Sequence, residues 1–467
     1  IVYNTAPAVL RQLEFLVGDD AFRAGVNLFL RRHAYANATW RDLLAAIGEA
    51  AGTDLTAFGD HYILRAGMPV VETELSIGDD GRIASLALVQ RPARPLPGDP
   101  GTLWPGRVRV RLGYANGEDV LIPVSFDGER TVVPGAAGLP APDFVLANDG
   151  DFGYGLFLAD DRSARWLLDH ASTLDEPLLR AMAWGSLWDL VREGRLPPQT
   201  FADRAIRALP GEVDETIAGA LLDRTVVALQ RYTPRDAAGE LPARFEALLL
   251  ARIDDDRLSY GQRKASLDAL LAGARTPAGL AAVRAFLAGA RTFRGEPIGQ
   301  PARRTAVTRL LALDAADADS IFRAEAARDT TPEAARSAFI AGAARPTAVS
   351  KATYFARFLD DPSLNEEWVT AALAPFNDGD HAALTLPFLR PALEKADWIR
   401  QHRRIFFLPR WLESFIGGQT SADALAEVDA FLAASPELPP DVRRKILQSR
   451  DELERTLRIR AGAQRRP

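Results

Sequence analysis

The spacing of apolar residues changes twice along the chain. Over the first 67 residues they recur every three or four positions, as at Val9, Leu13 and Leu16, which predicts amphipathic helices. From Val70 the spacing falls to two, and short alternating runs broken by Asp-Gly and Asn-Gly pairs predict strands joined by tight turns. After Tyr154 the helical spacing returns and continues to the end. The pattern predicts a mainly α-helical protein with a small β-region between two helical regions.

Start and stop signals mark the helices that precede the strands. The first predicted helix follows Tyr3, with Pro7 in its first turn and Gly18 at its end, where a left-handed residue closes a helix. Thr39 with Asp42 three residues later forms a capping-box pattern ahead of a further helix. Apolar residues on these helices are expected to form core rather than to contact a ligand.

The alternating runs predict a small β-sandwich. Strands are expected over residues 70–77, 83–90, 108–112, 120–126, 131–133 and 144–146. The intervening stretch 91–105 contains five prolines, so we expect it to be an exposed loop outside any ladder. Arg109 and Arg111 alternate with apolar residues, which predicts that they line a solvated face of the sandwich.

Composition sets the class of protein. A chain of 467 residues is too long for one core, and we expect about three domains. The apolar share of 47% and charged share of 25% are typical of globular proteins, and the net charge of −6 gives no basis for nucleic-acid binding. No apolar run is long enough to cross a bilayer, and no signal segment opens the sequence. The absence of cysteine excludes disulfides and thiolate nucleophiles. We therefore expect a cytoplasmic protein with no nucleic-acid or membrane partner.

Four stretches near the start resemble, in their order and spacing, the end of the catalytic domain of the M1 family of zinc aminopeptidases, the aminopeptidase N type. They are Tyr3 with the helix after it, VGDDAFRAG at 17–25, HAYANATWRDL at 33–43 and RAGMP at 65–69. The resemblance implies that Tyr3 is catalytic and donates a hydrogen bond to the oxyanion formed at the scissile carbonyl. A Lys-Gly pair is usual straight after this tyrosine in the family, whereas Thr5-Ala6 stands here.

The same resemblance implies a zinc ion, held by the H-E-x-x-H motif and a further glutamate. The five histidines lack that spacing; they are His33, His61, His170, His381 and His402. The family's Gly-x-Met-Glu-Asn motif, which holds the amino terminus of the substrate, is also missing. We therefore expect this chain to bind no metal, His33 and His61 to be structural, and the zinc to belong to the missing amino-terminal half of the same protein.

The second half carries further resemblance. Asn148-Asp149 with Tyr154 resembles the junction between the family's sandwich and its last domain, and residues 396–411 and 443–455 resemble the carboxy-terminal helices of bacterial members. The long succession of paired helices indicates a HEAT-like curved array. Arg403 and Arg404 could draw in a substrate carboxylate, or instead pair with nearby acids or face water.

These observations define three expected domains. Residues 1–67 are the helical end of a thermolysin-like catalytic domain, 68–158 a β-sandwich domain, and 159–467 an α-helical HEAT-like domain. The expected function is that of the carboxy-terminal half of a zinc aminopeptidase acting on peptides, in which zinc-activated water and a glutamate base come from the other half; this chain alone should be inactive. The alternative is a non-catalytic peptide- or protein-binding module of the same architecture, which the Thr5-Ala6 departure favours. An independent hydrolase finds no support, because the chain has no G-x-S-x-G elbow and no phosphate-binding glycine loop.

Overall fold

The computed structural model describes residues 5–94, 103–331, 333–360 and 364–464. Within these residues the chain is mainly helical, with seven short strands between residues 69 and 158. The prediction of a mainly α-helical protein with a small β-region is confirmed. The chain divides into two compact units, Ile1–Leu190 and Val191–Pro467. The division into three domains stays a prediction.

Helices open the first unit. They are α1 (Thr5–Val17), α2 (Asp19–Arg32), α3 (Trp40–Ala51) and α4 (Thr56–Gly59), and a π-helical turn (Asp60–Leu64) follows α4. Gly18 separates α1 from α2 and has a positive φ of 86°, which glycine adopts without strain. The predicted capping box is confirmed at the start of α3: the Thr39 hydroxyl accepts from the Asp42 amide, and the Asp42 carboxylate accepts from the Thr39 amide.

The strands of the described residues form two sheets. They are β1 (Pro69–Ile77), β2 (Ile83–Pro92), β3 (Gly106–Gly113), β4 (Val120–Phe126), β5 (Arg130–Val132), β6 (Phe144–Leu146) and β7 (Leu156–Leu158). One sheet has the order β5-β2-β1-β7 and the other β4-β3-β6. Val71 and Leu86 of the first sheet and Val108 and Val124 of the second belong to one buried cluster. The two sheets therefore share a core.

Strand β7 is not predicted by the sequence. It has three residues and pairs in parallel with β1, where Val71 lies opposite Phe157. Three residues are too few to show an alternating pattern. This short pairing places β1 between two neighbours and joins the chain beyond residue 155 to the sheet.

Trp104 corrects the expectation for the proline-rich stretch. Residues 95–102 lie outside the described residues, but Trp104 is 1% exposed, so the prediction of an exposed loop is wrong there. Its indole N–H donates to the carbonyl of His61 over 3.1 Å, and its amide donates to the Gln90 side chain over 3.0 Å. The Arg65 guanidinium lies 3.6 Å from the ring centroid. The large apolar ring is buried because it packs into the core formed by the preceding helices.

Helices occupy the rest of the chain. They are α5 (Asp161–His170), α6 (Pro177–Arg192), α7 (Pro198–Ala208), α8 (Glu215–Val227), α9 (Leu241–Asp254), α10 (Tyr260–Gly273), α11 (Pro277–Ala288), α12 (Gln300–Ala312), α13 (Ala318–Arg328), α14 (Ala334–Gly342), α15 (Ala348–Asp360), α16 (Glu366–Phe376), α17 (Ala382–Thr385), α18 (Leu389–Glu394), α19 (Ala396–His402), α20 (Phe407–Phe415), α21 (Ala422–Ala434) and α22 (Pro440–Gln464). In the second unit α8, α10, α12, α14, α16, α20 and α22 each contact the next in that order. Across the described ranges, no helix combines the length and the apolar character needed to span a bilayer.

Buried basic side chains close helix ends in the second unit. Each donates to a carbonyl in or next to the last turn of another helix, which would otherwise lack a partner. The pairs are Arg252 with Leu209 at 2.6 Å, Arg309 with Ala274 at 2.8 Å, Lys351 with Ala343 at 2.9 Å and with Phe376 at 2.7 Å, and His381 with Ala312 at 2.7 Å. These four residues are at most 6% exposed. The positive charge of Arg252 and Arg309 at a helix carboxyl end also matches the helix dipole.

Candidate active site: helix α1 and its support

Helix α1 is the structural frame of the candidate site. Tyr3, the predicted catalytic residue, lies outside the described residues, and α1 begins just after it at Thr5. Pro7 lies in the first turn, as the sequence predicts. The helix buries Val9 and Leu13 in a cluster with side chains of α3, α4 and the Trp104 ring. The start of α1, two positions after Tyr3 in the sequence, therefore depends on how α1 is held.

Gln12 is the polar residue on the buried face of α1. It is 3% exposed, and its side-chain oxygen accepts a hydrogen bond from the amide of Tyr154 over 2.7 Å. Its side chain also bonds the phenol of Tyr62, whose hydroxyl donates to the carbonyl of Pro105 over 2.6 Å. Burial raises the pKa of Tyr62 to about 12, and the Gln12 bond opposes that rise. Tyr62 is therefore a neutral hydrogen-bonding phenol at physiological pH.

A second polar contact ties α1 to the loop of residues 148–155, called here the clasp loop. The Arg11 guanidinium donates to the carbonyl of Gly150 over 2.8 Å and to that of Asp151 over 3.1 Å. One turn further along α1, the Phe15 ring stacks on Phe152 with centroids 4.3 Å apart and an angle of 13° between the planes. Two adjacent turns of α1 thus contact the same loop.

The clasp loop is fixed from its other side by the sheet. Asp149 is 2% exposed, and its carboxylate accepts from Arg109 over 2.7 Å and from Arg111 over 2.6 Å. The expectation that these arginines line a solvated face is wrong for Arg111, whose side chain is 12% exposed, because the buried carboxylate draws it inward. Burial lowers the pKa of Arg111, but its bonds to Asp149 and Asp119 outweigh that effect and raise it.

The loop's own backbone leaves little freedom. The Asn148 side chain accepts from the amide of Gly153 over 2.7 Å and donates to its carbonyl over 3.1 Å. Gly150 has a φ of 79°, and a Cβ added there would lie 2.3 Å from the Phe152 ring. Asp151 also has a positive φ, of 54°. A glycine at position 150 is therefore required both by its conformation and by the close approach of the ring.

The described residues do not fit a zinc site. Within them no group of three or more histidine, cysteine, aspartate or glutamate side chains could hold a metal ion. The His61 ring nitrogen Nδ1 lies 2.6 Å from the carbonyl of Ala57, and the His33 ring lies 5.3 Å from the Phe29 ring. Both histidines thus contact neighbouring residues of their own helical segments.

Arg403 and Arg404 both contact other residues of the second unit. The Arg403 guanidinium lies over the rings of Trp398 and Phe407, at 5.5 and 5.8 Å from their centroids. Arg404 is exposed, and its amide donates to the Glu366 carboxylate over 3.1 Å. Neither arginine lines the cavity of about 650 Å³ in the second unit, whose lining includes Arg275 and Arg309.

The sequence reasoning does not single out Arg11, Gln12 or Phe152. A signal was available for Gln12, because Val9, Leu13 and Leu16 define the apolar face of the predicted helix and position 12 falls on it. A polar residue in such a position needs a buried partner. The loop partners of Arg11 and Gln12, however, lie about 140 residues further along the chain, and Tyr62, the other partner of Gln12, is also distant in sequence, so spacing within α1 cannot identify them.

Comparisons with known proteins cover both parts of the chain. Residues 1–62 match the Peptidase family M1 domain, and residues 144–455 match the ERAP1-like C-terminal domain. Aminopeptidase N of Streptomyces lividans is 31% identical over 473 residues, which cover 99% of this chain and 55% of the relative. The chain therefore spans about half the length of that protein.

Other relatives match shorter parts. Aminopeptidase N of Lactococcus lactis subsp. lactis (strain IL1403) is 32% identical over 180 residues, 38% of this chain and 19% of the relative. Tricorn protease-interacting factor F2 of Thermoplasma volcanium is 36% identical over 81 residues, 17% of this chain and 10% of the relative. The match over residues 144–455 is the more extensive of the two family matches and covers more than half of the chain. The chain belongs to the family of ERAP1-like C-terminal domains, and its first 62 residues are a stretch of the M1 peptidase family domain.

Proposed function

We propose that this chain is the carboxy-terminal half of a zinc aminopeptidase that removes residues one at a time from the amino end of peptides. The observation that carries the proposal is the similarity to Streptomyces Aminopeptidase N along 99% of the chain, which includes the M1 segment where Tyr3 lies. The finer architecture is part of the proposal: a β-sandwich over 68–158 and a HEAT-like array over 159–467. The shared core of the two sheets and the contacts between alternate helices support it.

Tyr3 is the catalytic residue that this chain contributes. A phenol carries one O–H donor and is neutral at physiological pH, so it can be aimed at negative charge that develops on a carbonyl oxygen during attack. In this proposal the amino-terminal half of the complete protein holds the zinc, since the sequence of this chain contains no H-E-x-x-H motif, and this chain alone hydrolyses nothing. The peptide substrate and the cytoplasmic location are proposals of the same kind.

The test is kinetic and uses the complete protein with a panel of fluorogenic single-residue amides, with and without a zinc chelator. Tyr3→Phe removes the donor and keeps the ring, so we expect kcat to fall by about a hundredfold or more, with KM and zinc content nearly unchanged. Tyr35→Phe is the matched control, because Tyr35 is fully exposed in the turn that follows α2. A fall of less than about tenfold for Tyr3→Phe would remove Tyr3 from the mechanism.

The second candidate is a peptide- or protein-binding module that has kept the architecture without the chemistry. The observation that favours it is Thr5-Ala6 in place of the family's usual Lys-Gly pair. An intact H-E-x-x-H encoded ahead of Ile1 would reject it. If the folded protein, supplied with zinc, hydrolysed none of the amides, the binding module would be favoured over the enzyme.

A further inference from the structure

We propose that the cavity of about 650 Å³ in the second unit binds a free α-amino acid, whose carboxylate contacts Arg275 and Arg309 and whose ammonium group donates to Asn377. The site goes beyond the proposed function and does not depend on it, because every residue that carries it lies in the second unit. An α-amino acid is also the product that the proposed aminopeptidase would release, but the cavity would bind it whatever its source.

Arg309 is a buried arginine with a hydrogen-bond donor left over. It lies in the last turn of α12, lines the cavity and is 5% exposed. Its Nε donates to the carbonyl of Ala274, and its Nη1 and Nη2 lie 3.5 and 3.7 Å from carboxylate oxygens of Asp378 and Asp380. Within the described part of the chain, Nη2 has no hydrogen-bond partner. Because an unpaired buried donor is destabilising, an acceptor bound in the cavity would be favoured.

Arg275 brings a second positive charge to the same cavity. It follows α10 and is half-buried, and its guanidinium makes no hydrogen bond or ion pair with any residue that the structure describes. Its charge nevertheless acts on Arg309: burial lowers the pKa of Arg309, Asp378 and Asp380 oppose that shift, and the charge of Arg275 adds to it. Guanidinium groups bind carboxylates through paired, charge-assisted hydrogen bonds. The two arginines are therefore suited to one carboxylate.

Asn377 has the opposite requirement, for a donor. It follows α16, lines the cavity and is 4% exposed. Its amide nitrogen donates to the Ser414 hydroxyl over 3.0 Å and to the carbonyl of Leu373 over 3.3 Å, whereas its oxygen Oδ1 accepts no hydrogen bond from the described residues. An ammonium group offers three N–H donors. A ligand that carries one next to its carboxylate would satisfy Asn377 as well as the arginines.

The charges of the lining favour a zwitterion over a simple anion. Arginines and carboxylates line the same cavity; they are Arg231, Arg275, Arg309, Arg410, Asp378, Asp380 and Glu413. A multiply charged anion such as phosphate would meet like charge there, and burial strengthens that repulsion. An α-amino acid brings one charge of each sign and leaves the net charge unchanged. Its side chain can pack on the apolar part of the lining, at Leu373 and Ala374, and the volume is within the range of small-molecule sites.

The experiment is a titration of the complete protein with leucine, read by hydrogen exchange and mass spectrometry in peptides that cover 370–381 and 410–420. A local readout separates this cavity from any other leucine site in the protein. We expect added leucine to slow exchange in both segments, and the concentration that gives half of the effect is the apparent Kd. Leucinamide lacks the carboxylate and isocaproate lacks the ammonium group, so each should bind at least about tenfold more weakly than leucine.

Substitution of Arg275 tests the contact itself. Arg275→Met removes a guanidinium that has no partner among the described residues, so the fold should be retained while the affinity for leucine falls at least about tenfold. Arg275→Lys keeps the charge and should recover part of that loss. Arg257→Met is the matched control, because the Arg257 side chain is 87% exposed, pairs with Asp255 and does not line the cavity.

Each outcome has a consequence. The amino-acid site is overturned if leucine gives no protection in the wild-type protein, or the same protection in Arg275→Met. It is also overturned if inorganic phosphate or isocaproate protects as well as leucine, which would show a general anion site, or if leucinamide does, which would show that the carboxylate is not recognised. A protein that hydrolyses none of the amides but is still protected by leucine overturns the proposed function and leaves this site standing.

Discussion

The two compact units connect their elements by different chemistry. In the second unit, the buried basic side chains Arg252, Arg309, Lys351 and His381 donate to carbonyl groups at the ends of other helices. In the first unit, the contacts between helices and sheets centre on aromatic rings, Trp104 in the core of the first helices and Phe152 against α1.

Backbone hydrogen bonding explains the difference. The last four carbonyls of a helix have no partner within it, so an array of packed helices buries many such groups and needs donors from elsewhere. A strand instead satisfies its backbone groups in the ladder with its neighbours. Packing of aromatic rings is therefore sufficient where a sheet is one of the partners. Contacts at helix ends need a basic side chain that donates a hydrogen bond to the free carbonyl.

Among these predictions, removal of Trp104 has the largest expected effect, and it tests the aromatic packing in the first unit. Trp104→Ala would leave a cavity in the core of α1, α3 and α4 and remove the bond to His61, so we expect the first unit to lose about 3–5 kcal/mol of stability. Hydrogen exchange read by mass spectrometry separates the two units, which a single melting curve does not. The expected result is lost protection in 5–64 with 191–464 unchanged.

Trp398→Ala serves as the control, because Trp398 is 40% exposed. If Trp104→Ala cost no more than this variant, the ring would not be the joint that its burial indicates.

Removal of Arg309 tests the cationic joint. Arg309→Met preserves much of the side-chain volume but leaves the Ala274 carbonyl without its donor. It also removes a cation 3.5 Å from Asp378 and 3.7 Å from Asp380, although Asp380 keeps its ion pair with Arg235. Breaking a buried charge pair from one side typically costs roughly 3 kcal/mol or more. We expect lost protection at the end of α10 and along α12.

Arg410→Met is the matched control for Arg309→Met. The Arg410 side chain is 67% exposed and pairs with Glu413 at 3.2 Å, and exposed pairs contribute about 0–1 kcal/mol. Equal protection in the two variants would show that the buried cation is dispensable, and the contrast between the units would fail.

Sequence reasoning identifies elements whose pattern is local. The capping box at Thr39 and the alternation around Val108 each lie within a few residues, and α3 and β3 form where they predict. It misses β7, whose three residues depend on pairing with β1, and the burial of Trp104, whose surroundings are rich in proline. Both are decided by contacts distant in sequence.

The same distinction applies to the candidate site. Tyr3 is found through a resemblance that spans consecutive short stretches of sequence. Arg11 and Gln12 bond to the clasp loop, about 140 positions away in the sequence. A single sequence carries no direct information on contacts between residues so far apart. Its nearest sequence signal is Gln12 on an apolar helix face.

The last prediction concerns pH and Lys351, which is fully buried and bonded to the carbonyls of Ala343 and Phe376. Burial lowers the pKa of Lys351 to about 8, with Asp378 opposing that shift, whereas an unfolded lysine titrates near about 10.4. Between these values the unfolded chain holds more protons, so this group makes the second unit more stable as pH rises from about 8 to about 10.4, by up to about 1.4 kcal/mol per pH unit. The neutral amine keeps two N–H donors for its two carbonyls.

Lys351→Met lacks this titration, so the stability difference between wild type and variant should grow in favour of the wild type across that pH range. Hydrogen exchange of the second unit, corrected for the intrinsic pH dependence of exchange, measures it. His381 does not confuse the result, because burial lowers the pKa of His381 below its usual 6.5 and so away from this range. Parallel curves for the two proteins would mean that Lys351 is no harder to protonate in the fold than in the unfolded chain. The first unit, whose joint at Trp104 carries no titrating group, should show no difference between the two proteins at any pH in the series.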